Sequence, residues 1–331
     1  MGRGPHSPRQ HVLHPAGGRD QPAQHPGRGE PARGDFSDLF ASGETGLMGI
    51  AVDPGFNSNR RIYTCQGHQA GAARDIRVVP WVLPVGSTNL TRLTAIVTGL
   101  PIVTGRHGGC RLRFAPDGRL WIGTGDAAVG TNPQNLTSLG GKILRVDSMT
   151  GAGVSGNPFF GDPNANTRRI WSYGHRNVQG LALRPKDGAM WTVEHGTGRD
   201  DEINRGVVGN FGWDPVPGYN EATPMTDFTK FPDAVGAAWS SGDPTFATSG
   251  ATWLTGGWKG WNGTLAVAAL KDSSLRIMRA SADGLTLTQV DRIFVGIYGR
   301  LRTAQVGPGG KLYLTTSNGG GVDQILEVTP S

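Results

Sequence analysis

Apolar and polar residues alternate along this chain in short runs, and no stretch sustains the 3.6-residue period of an amphipathic helix. The runs come in pairs around one recurring pattern. It reads Gly46-Leu47-Met48-Gly49-Ile50-Ala51-Val52-Asp53-Pro54, followed by Arg61-Ile62-Tyr63. It returns as Leu112-Arg113-Phe114-Ala115-Pro116-Asp117-Gly118-Arg119-Leu120-Trp121, then as Leu181-Ala182-Leu183-Arg184-Pro185-Lys186-Asp187-Gly188-Ala189-Met190-Trp191, and last as Ala304-Gln305-Val306-Gly307-Pro308-Gly309-Gly310-Lys311-Leu312-Tyr313. Each copy is an alternating strand, a Pro/Gly turn and a second alternating strand, which predicts a β-hairpin. The prolines at 54, 116 and 185 stand 62 and 69 residues apart, and a weaker copy, Trp261 to Val267, falls between the third and the last. Repeats at such long, near-regular spacing predict radial or solenoid architecture. Four-stranded blades around an axis fit the pattern, so the expected fold is an all-β propeller.

Composition narrows this picture. A chain of 331 residues usually divides into two domains, but propeller blades pack one on the next. The 53 glycines and 22 prolines suit many tight turns. No apolar run is long enough to cross a bilayer. The net charge of +6 comes mainly from scattered arginines, which argues against a nucleic-acid face. Cys65 and Cys110 stand near strand ends in adjacent copies, either as a disulfide or as two buried thiols; a bridge would indicate an oxidising compartment. Residues 1–35 are rich in Arg, Pro, Gly and His and carry no apolar signal-peptide core. They are expected to be a disordered or aberrant segment that does not pack, ahead of a propeller domain at 36–331.

Polar clusters between the strands exceed what a scaffold needs. Gly105-Arg106-His107-Gly108-Gly109 precedes a strand, its glycines allowing close backbone approach and its histidine suited to general-base work. Asp126 ends the same hairpin, where it is placed to orient that imidazole. His175-Arg176-Asn177 precedes the third copy as His107 precedes the second. Glu194-His195-Gly196-Thr197, followed by Asp200-Asp201-Glu202, offers oxygen donors for a hard cation, though not at EF-hand spacing. Lys271 follows a strand, and Arg300 and Arg302 sit on one strand face before the last copy. Two guanidiniums and an ammonium together imply an anionic ligand with carboxylates.

In their joint order these segments resemble the soluble pyrroloquinoline-quinone (PQQ)-dependent glucose/sorbosone dehydrogenases, or aldose sugar dehydrogenases. The residues that carry the resemblance are Arg106-His107-Gly108-Gly109, Gly123-Thr124-Gly125-Asp126, Leu139-Gly140-Gly141-Lys142-Ile143-Leu144-Arg145, Tyr173 to Gly180, Asp200 to Asn204 with Gly212-Trp213, Ala269-Leu270-Lys271 and Gly299 to Arg302. The resemblance spans about residues 40–330. It implies a six-bladed β-propeller, here with an incomplete or degenerate first blade, because residues 1–43 show no hairpin copy.

It also implies oxidation of an aldose at its anomeric carbon to the lactone, with an external electron acceptor. His107 becomes the catalytic base, with Asp126 beside it. Arg176 and Asn177 lie against the quinone, and Lys271, Arg300 and Arg302 pair with its carboxylates. The carbonyls of Gly196 and Thr197 hold a cofactor calcium. Glu202, Glu221 and the Phe211 carbonyl resemble a second calcium site. Glu44 and His195 fall at cofactor-contacting positions of the pocket, where family members can have Gln, and Thr197 stands where Pro is often found. A periplasmic or secreted location follows from the family and the cysteine pair. A calcium-dependent hydrolase of lactonase type, which would not need Lys271, Arg300 and Arg302 converging on an anion, and a non-catalytic carbohydrate- or protein-binding propeller are the alternative readings.

Overall fold

Every hairpin copy becomes the start of a sheet. The computed structural model describes residues 31–330, in two units, 32–248 and 249–330. In the first unit, β1 (Leu47–Val52), β2 (Arg61–Ala70), β3 (Ala73–Val82) and β4 (Thr91–Arg92) form an antiparallel meander, with β5 (Val97–Leu100) also pairing with β3. A second sheet runs β6 (Gly109–Phe114), β7 (Leu120–Thr124), β8 (Lys142–Val146) and β9 (Ile170–Tyr173). The third is β10 (Val178–Leu183), β11 (Met190–Glu194) and β12 (Glu202–Arg205). The short β13 (Gly209–Asn210) leaves it to lie parallel to β9, and β14 (Trp239–Ser240) then closes it. The second unit holds β15 (Thr248–Trp253), β16 (Leu265–Ala269), β17 (Ser274–Ala280) and β18 (Leu287–Ile293), then β19 (Leu301–Val306), β20 (Leu312–Thr316) and β21 (Ile325–Val328).

The fold is an all-β propeller of five blades among the described residues, not the six expected. Four blades grow from one clear hairpin copy each, and the fifth carries the weaker copy, Trp261 to Val267, as the turn into β16 and its start. The sixth blade rested on family resemblance alone, and no incomplete or degenerate N-terminal blade is present among the described residues. Of the segment 1–35 expected not to pack, residues 1–30 lie outside the described residues. Just beyond them the Arg33 N–H donates to the Thr88 carbonyl at 2.7 Å, bridging the chain to the loop ahead of β4.

Strands in the middle of the first unit are buried on both faces because neighbouring sheets cover them. Tyr63, Cys65, Ile76, Val78, Leu112, Ile122, Leu144 and Ile170 form one core. A separate core in the second unit gathers Leu254, Leu275, Ile277, Leu301, Leu312, Leu314 and Leu326. β1 passes so close to β6 that a Cβ at Gly49 would stand 2.3 Å from the Cys110 carbonyl oxygen, so only glycine fits there. Four first strands carry the same irregularity at their start. An extra residue bulges from β1, β6, β10 and β19, at Met48, Cys110, Gln179 and Arg302. A bulge bends the strand and re-aims what precedes it, and Glu44, His107, Arg176, Asn177 and Arg300 lie just upstream of these bulges.

Cys65 on β2 and Cys110 on β6 are joined as a disulfide, with Cα atoms 5.5 Å apart, stitching the first two sheets together. Closing 45 residues of chain restricts the unfolded ensemble, and the loop-entropy relation puts the effect at about 4 kcal/mol. The double Cys65→Ser/Cys110→Ser variant should lose stability of that order in urea unfolding. An unchanged midpoint would show that the bridge contributes nothing to the fold.

Candidate active site

The turn before β6 presents His107. Its backbone is left-handed, with φ 51°, and Gly109 beyond it has φ 58°. The turn nests against the end of β7 so tightly that a Cβ at Gly125 would meet the His107 carbonyl oxygen at 1.8 Å. This close approach explains the glycines on both sides of the hairpin end. It brings His107 Nδ1 to 2.9 Å from Asp126 Oδ1, with both side chains almost fully buried.

Asp126 carries a full set of donors. Oδ1 also accepts the Ala128 N–H at 2.8 Å, while Oδ2 accepts the Trp213 indole N–H at 2.8 Å and the Tyr219 hydroxyl at 2.7 Å. A buried carboxylate so provided for is satisfied without leaving its pocket. Because Nδ1 faces an acceptor, the imidazole carries its proton there and keeps its lone pair on Nε2. Burial, then the Asp126 charge, pushes the Tyr219 phenol well above its ordinary range, so it stays a donor.

The third sheet delivers the neighbouring groups. Asp126 N–H donates to the Arg176 carbonyl at 2.8 Å, and Gly125 bridges Asn177. Glu44 Oε2 accepts the His107 N–H at 3.0 Å and the Asn177 amide at 3.2 Å. The buried Arg176 guanidinium spreads its donors: Nη1 to the carbonyls of His195 (3.2 Å) and Gly196 (2.6 Å), and Nη2 to Glu221 at 2.9 Å. Glu221 is also bound by Arg106 at 3.1 Å, and these two cations hold its carboxyl below the usual range.

Behind Arg176, Ser172, His175 and Glu194 stand in the order of a hydrolase triad, each contact 2.9 Å. All three are sealed from solvent, and His175 stacks on Phe211, so no substrate reaches them. What Glu194 does is accept the Arg176 N–H at 2.9 Å. Asn204 links Glu194 to Glu202, which burial and the Glu194 charge push up to about 8. Asp201 accepts three backbone N–H groups, from Gly196, Phe246 and Thr248, fixing the loop that carries the Gly196 carbonyl.

The structure thus brings His107, Asp126, Glu44, Asn177, Arg176, His195, Gly196 and Glu221 into one hydrogen-bonded network. Thr197 stands half-buried beside Gly196 and Phe211 lies behind against His175. In the unit 249–330, Lys271 is exposed just past β16, Arg300 is exposed with its Nε on the Ser317 carbonyl at 3.2 Å, and Arg302 is the bulged residue of β19. The loops bearing Lys271 and preceding Arg300 are tied by the Gly296 N–H to the Ser273 carbonyl at 2.8 Å.

Sequence reasoning gave no role to Tyr219 or Trp213, the two aromatic donors to Asp126. Trp213 follows the Gly212 of a recognisable segment, whereas Tyr219 lies in a loop with no repeat to mark it. Lys142 also went unassigned. Fully buried, its ammonium donates to the carbonyls of Asn132, Pro133 and Gly140 at 2.7, 3.0 and 2.7 Å, fastening the loop that starts at Asp126.

Arg176 Nε is buried and has no acceptor among the described residues. That vacancy beside Asn177 suits an oxygen-bearing anionic ligand, and a quinone carboxylate or carbonyl fits it chemically. The Gly196 carbonyl proposed for a cation accepts the Arg176 Nη1–H at 2.6 Å. Among the described residues, no three His, Cys, Asp or Glu side chains gather into a metal cage.

A histidine–carboxylate pair beside a buried arginine is thus set at the strand ends of a propeller, and comparison with known proteins gives its family. The sequence profile of the glucose/sorbosone dehydrogenase family matches residues 24–326. The chain belongs to that family of sugar-oxidising oxidoreductases. It is 32% identical to an aldose sugar dehydrogenase of Escherichia coli, over 88% of this chain and 79% of that one. It is 34% identical to an uncharacterised protein of Synechocystis, over 88% and 72%. Among solved structures, the PQQ-bound aldose sugar dehydrogenase of Streptomyces coelicolor superposes with a TM-score of 0.71 at 30% identity, covering 89% of this chain and 83% of that one.

Lys142 generates a test of this architecture. Burial pushes its ammonium from an ordinary 10.5 down to about 7, the Asp126 charge opposing the shift. The unfolded chain therefore binds this proton more tightly than the folded one, and between these two values stability rises with pH. Lys142→Met removes that contribution. The stability of the wild type relative to the variant should grow by on the order of a few kcal/mol between pH 7 and about pH 10. A difference that stays flat across this window in urea titrations would show that burial does not lower the Lys142 pKa and that the three carbonyls keep its ammonium charged.

Proposed function

We propose that this protein oxidises an aldose at its anomeric carbon to the lactone, with PQQ as its cofactor. The observation that carries the proposal is the His107–Asp126 hydrogen bond, which reserves the Nε2 lone pair for a substrate proton. His107 takes the proton of the anomeric hydroxyl, and Asp126 orients the ring and stabilises the imidazolium that forms. The quinone, when bound, supplies the two-electron acceptor for the hydride. Arg176, held by Glu194, Gly196 and His195, offers its Nε–H to a ligand oxygen and stabilises negative charge there. Asn177 sits alongside, tied to Glu44. Lys271, Arg300 and Arg302 are the cations assigned to the cofactor carboxylates. The disulfide, together with family membership, supports an oxidising compartment, periplasmic or extracellular. Among the described residues no helix is long and apolar enough to cross a membrane.

The direct experiment titrates the purified apoprotein with PQQ, with and without Ca²⁺, following absorbance and dye reduction with a panel of aldoses. Saturable binding with sugar-dependent reduction is expected; absence of both would end the quinoprotein reading. In the loaded protein, His107→Ala should lower turnover by roughly 10²–10⁴ with PQQ affinity nearly unchanged. Wild-type turnover in that variant would remove His107 from the chemistry. Arg300→Ala should weaken PQQ binding by about ten- to a hundredfold, the range for a lost charged hydrogen bond. Unaltered affinity would take Arg300 out of the cofactor site.

A further inference from the structure

Tyr219 lies half-buried on the loop between β13 and β14, and its hydroxyl reaches both members of the acid–base pair. It stands 2.7 Å from Asp126 Oδ2 and 2.9 Å from His107 Nδ1. A phenol has one proton to give. The ionised carboxylate accepts only, so the proton goes to Asp126, and the phenol lone pair then faces Nδ1. Nδ1–H thus has two acceptors, Asp126 Oδ1 and the phenol oxygen. With the imidazole proton on Nε2 instead, the bare Nδ1 would face the Asp126 Oδ1 lone pair, and the phenol could donate to it only by withdrawing its proton from Asp126 Oδ2.

We propose that Tyr219 is a positioning residue for sugar oxidation, its hydroxyl locking His107 in the Nδ1–H tautomer that leaves Nε2 as base. The proposal rests on the reading of His107 as the base and extends it to a residue that does not itself react. The placement is not incidental to a surface loop. The Tyr219 ring packs edge-on against Trp213 with centroids 6.1 Å apart, and Trp213 is itself a donor to the same carboxylate oxygen. Two residues further on, Glu221 is gripped by Arg106 and Arg176. The loop is therefore pinned on both flanks of the site, and the phenol is delivered with little freedom to lose.

Tyr219→Phe keeps the ring packing against Trp213 and deletes only the hydroxyl. Two measurements on the full chain decide the matter. With PQQ bound and the best of a panel of aldoses, kcat should fall about three- to tenfold with KM unchanged, the range for the net contribution of one ordinary hydrogen bond. In ¹⁵N-histidine NMR of the apoprotein, the fraction of His107 in the Nε2–H tautomer should rise above that of the wild type. Both changes together support the proposal. A fall in kcat with no tautomer change, a tautomer change with kcat intact, or a rise in KM alone each overturns it, the last by making Tyr219 a sugar contact. Failure of the base reading would appear separately, as wild-type turnover in His107→Ala; the NMR measurement needs neither cofactor nor sugar.

Discussion

The carboxylate of Asp126 is the point on which the site depends. It has no exposed surface, yet it collects His107 from the turn before β6, the Ala128 N–H from its own loop, and Trp213 and Tyr219 from the segment after β13. Leaving one such buried group unpaired costs about 1–3 kcal/mol, so each stretch is drawn to the same place. This constraint explains features that look unrelated in sequence. The glycine at 125 exists to let the His107 turn approach. Trp213 must follow Gly212, whose φ of 84° turns the chain. The loop from 214 to 238 can be irregular because polar groups spaced along it fasten it, among them the Tyr219 hydroxyl, the Glu221 carboxylate and the N–H groups of Asp227 and Val235, which donate to the Gly212 and Asn210 carbonyls.

A second constraint acts on the backbone. The bulges at Met48, Cys110, Gln179 and Arg302 recur at one position of the blade, where the first strand begins. The residues just ahead of them are Glu44, His107, Arg176 with Asn177, and Arg300. An unbroken ladder would carry the chain straight on, with its side chains alternating between the blade faces. The bulge bends it instead, so that each blade start offers a turn and one or two polar groups. Packing thus requires the hairpin and chemistry uses its irregular end. This is why the scaffold repeats while the site residues differ from blade to blade.

Much of this was legible before the structure, for physical reasons that also mark the limit. The hairpins declared themselves because alternation and Pro/Gly turns are local. His107, Asp126 and Arg176 were legible because each lies next to a hairpin copy, and equivalent positions share an end of the fold. The number of blades was not, since a sixth was borrowed from resemblance while the residues hold five copies. The partners of the site residues were mostly hidden. Nothing local says that Glu221 meets Arg106 and Arg176, or that the lysine following Gly140-Gly141 spends its charge on three carbonyls. Such contacts join residues dozens of positions apart through loops that have no period. Tyr219 belongs to the same class, 112 residues from His107.

The choice of arginine at 176 follows from the geometry around it. The position is nearly sealed, and its surroundings offer two carbonyls on one side and the Glu221 carboxylate on the other. A planar guanidinium serves both sides at once and still has Nε–H to offer, whereas a lysine ammonium would have to abandon one. Glu194 fixes the backbone of Arg176 from behind, and the buried His175 and Ser172 fix Glu194. The result is a cation whose position is set by the protein alone, before any ligand arrives. Charge that develops on a bound oxygen then meets an oriented dipole and pays no reorganisation, the condition under which electrostatic stabilisation contributes most to a rate. His107 is set in the same way through Asp126, so the groups proposed to handle proton and charge are both fixed by buried carboxylates rather than by substrate.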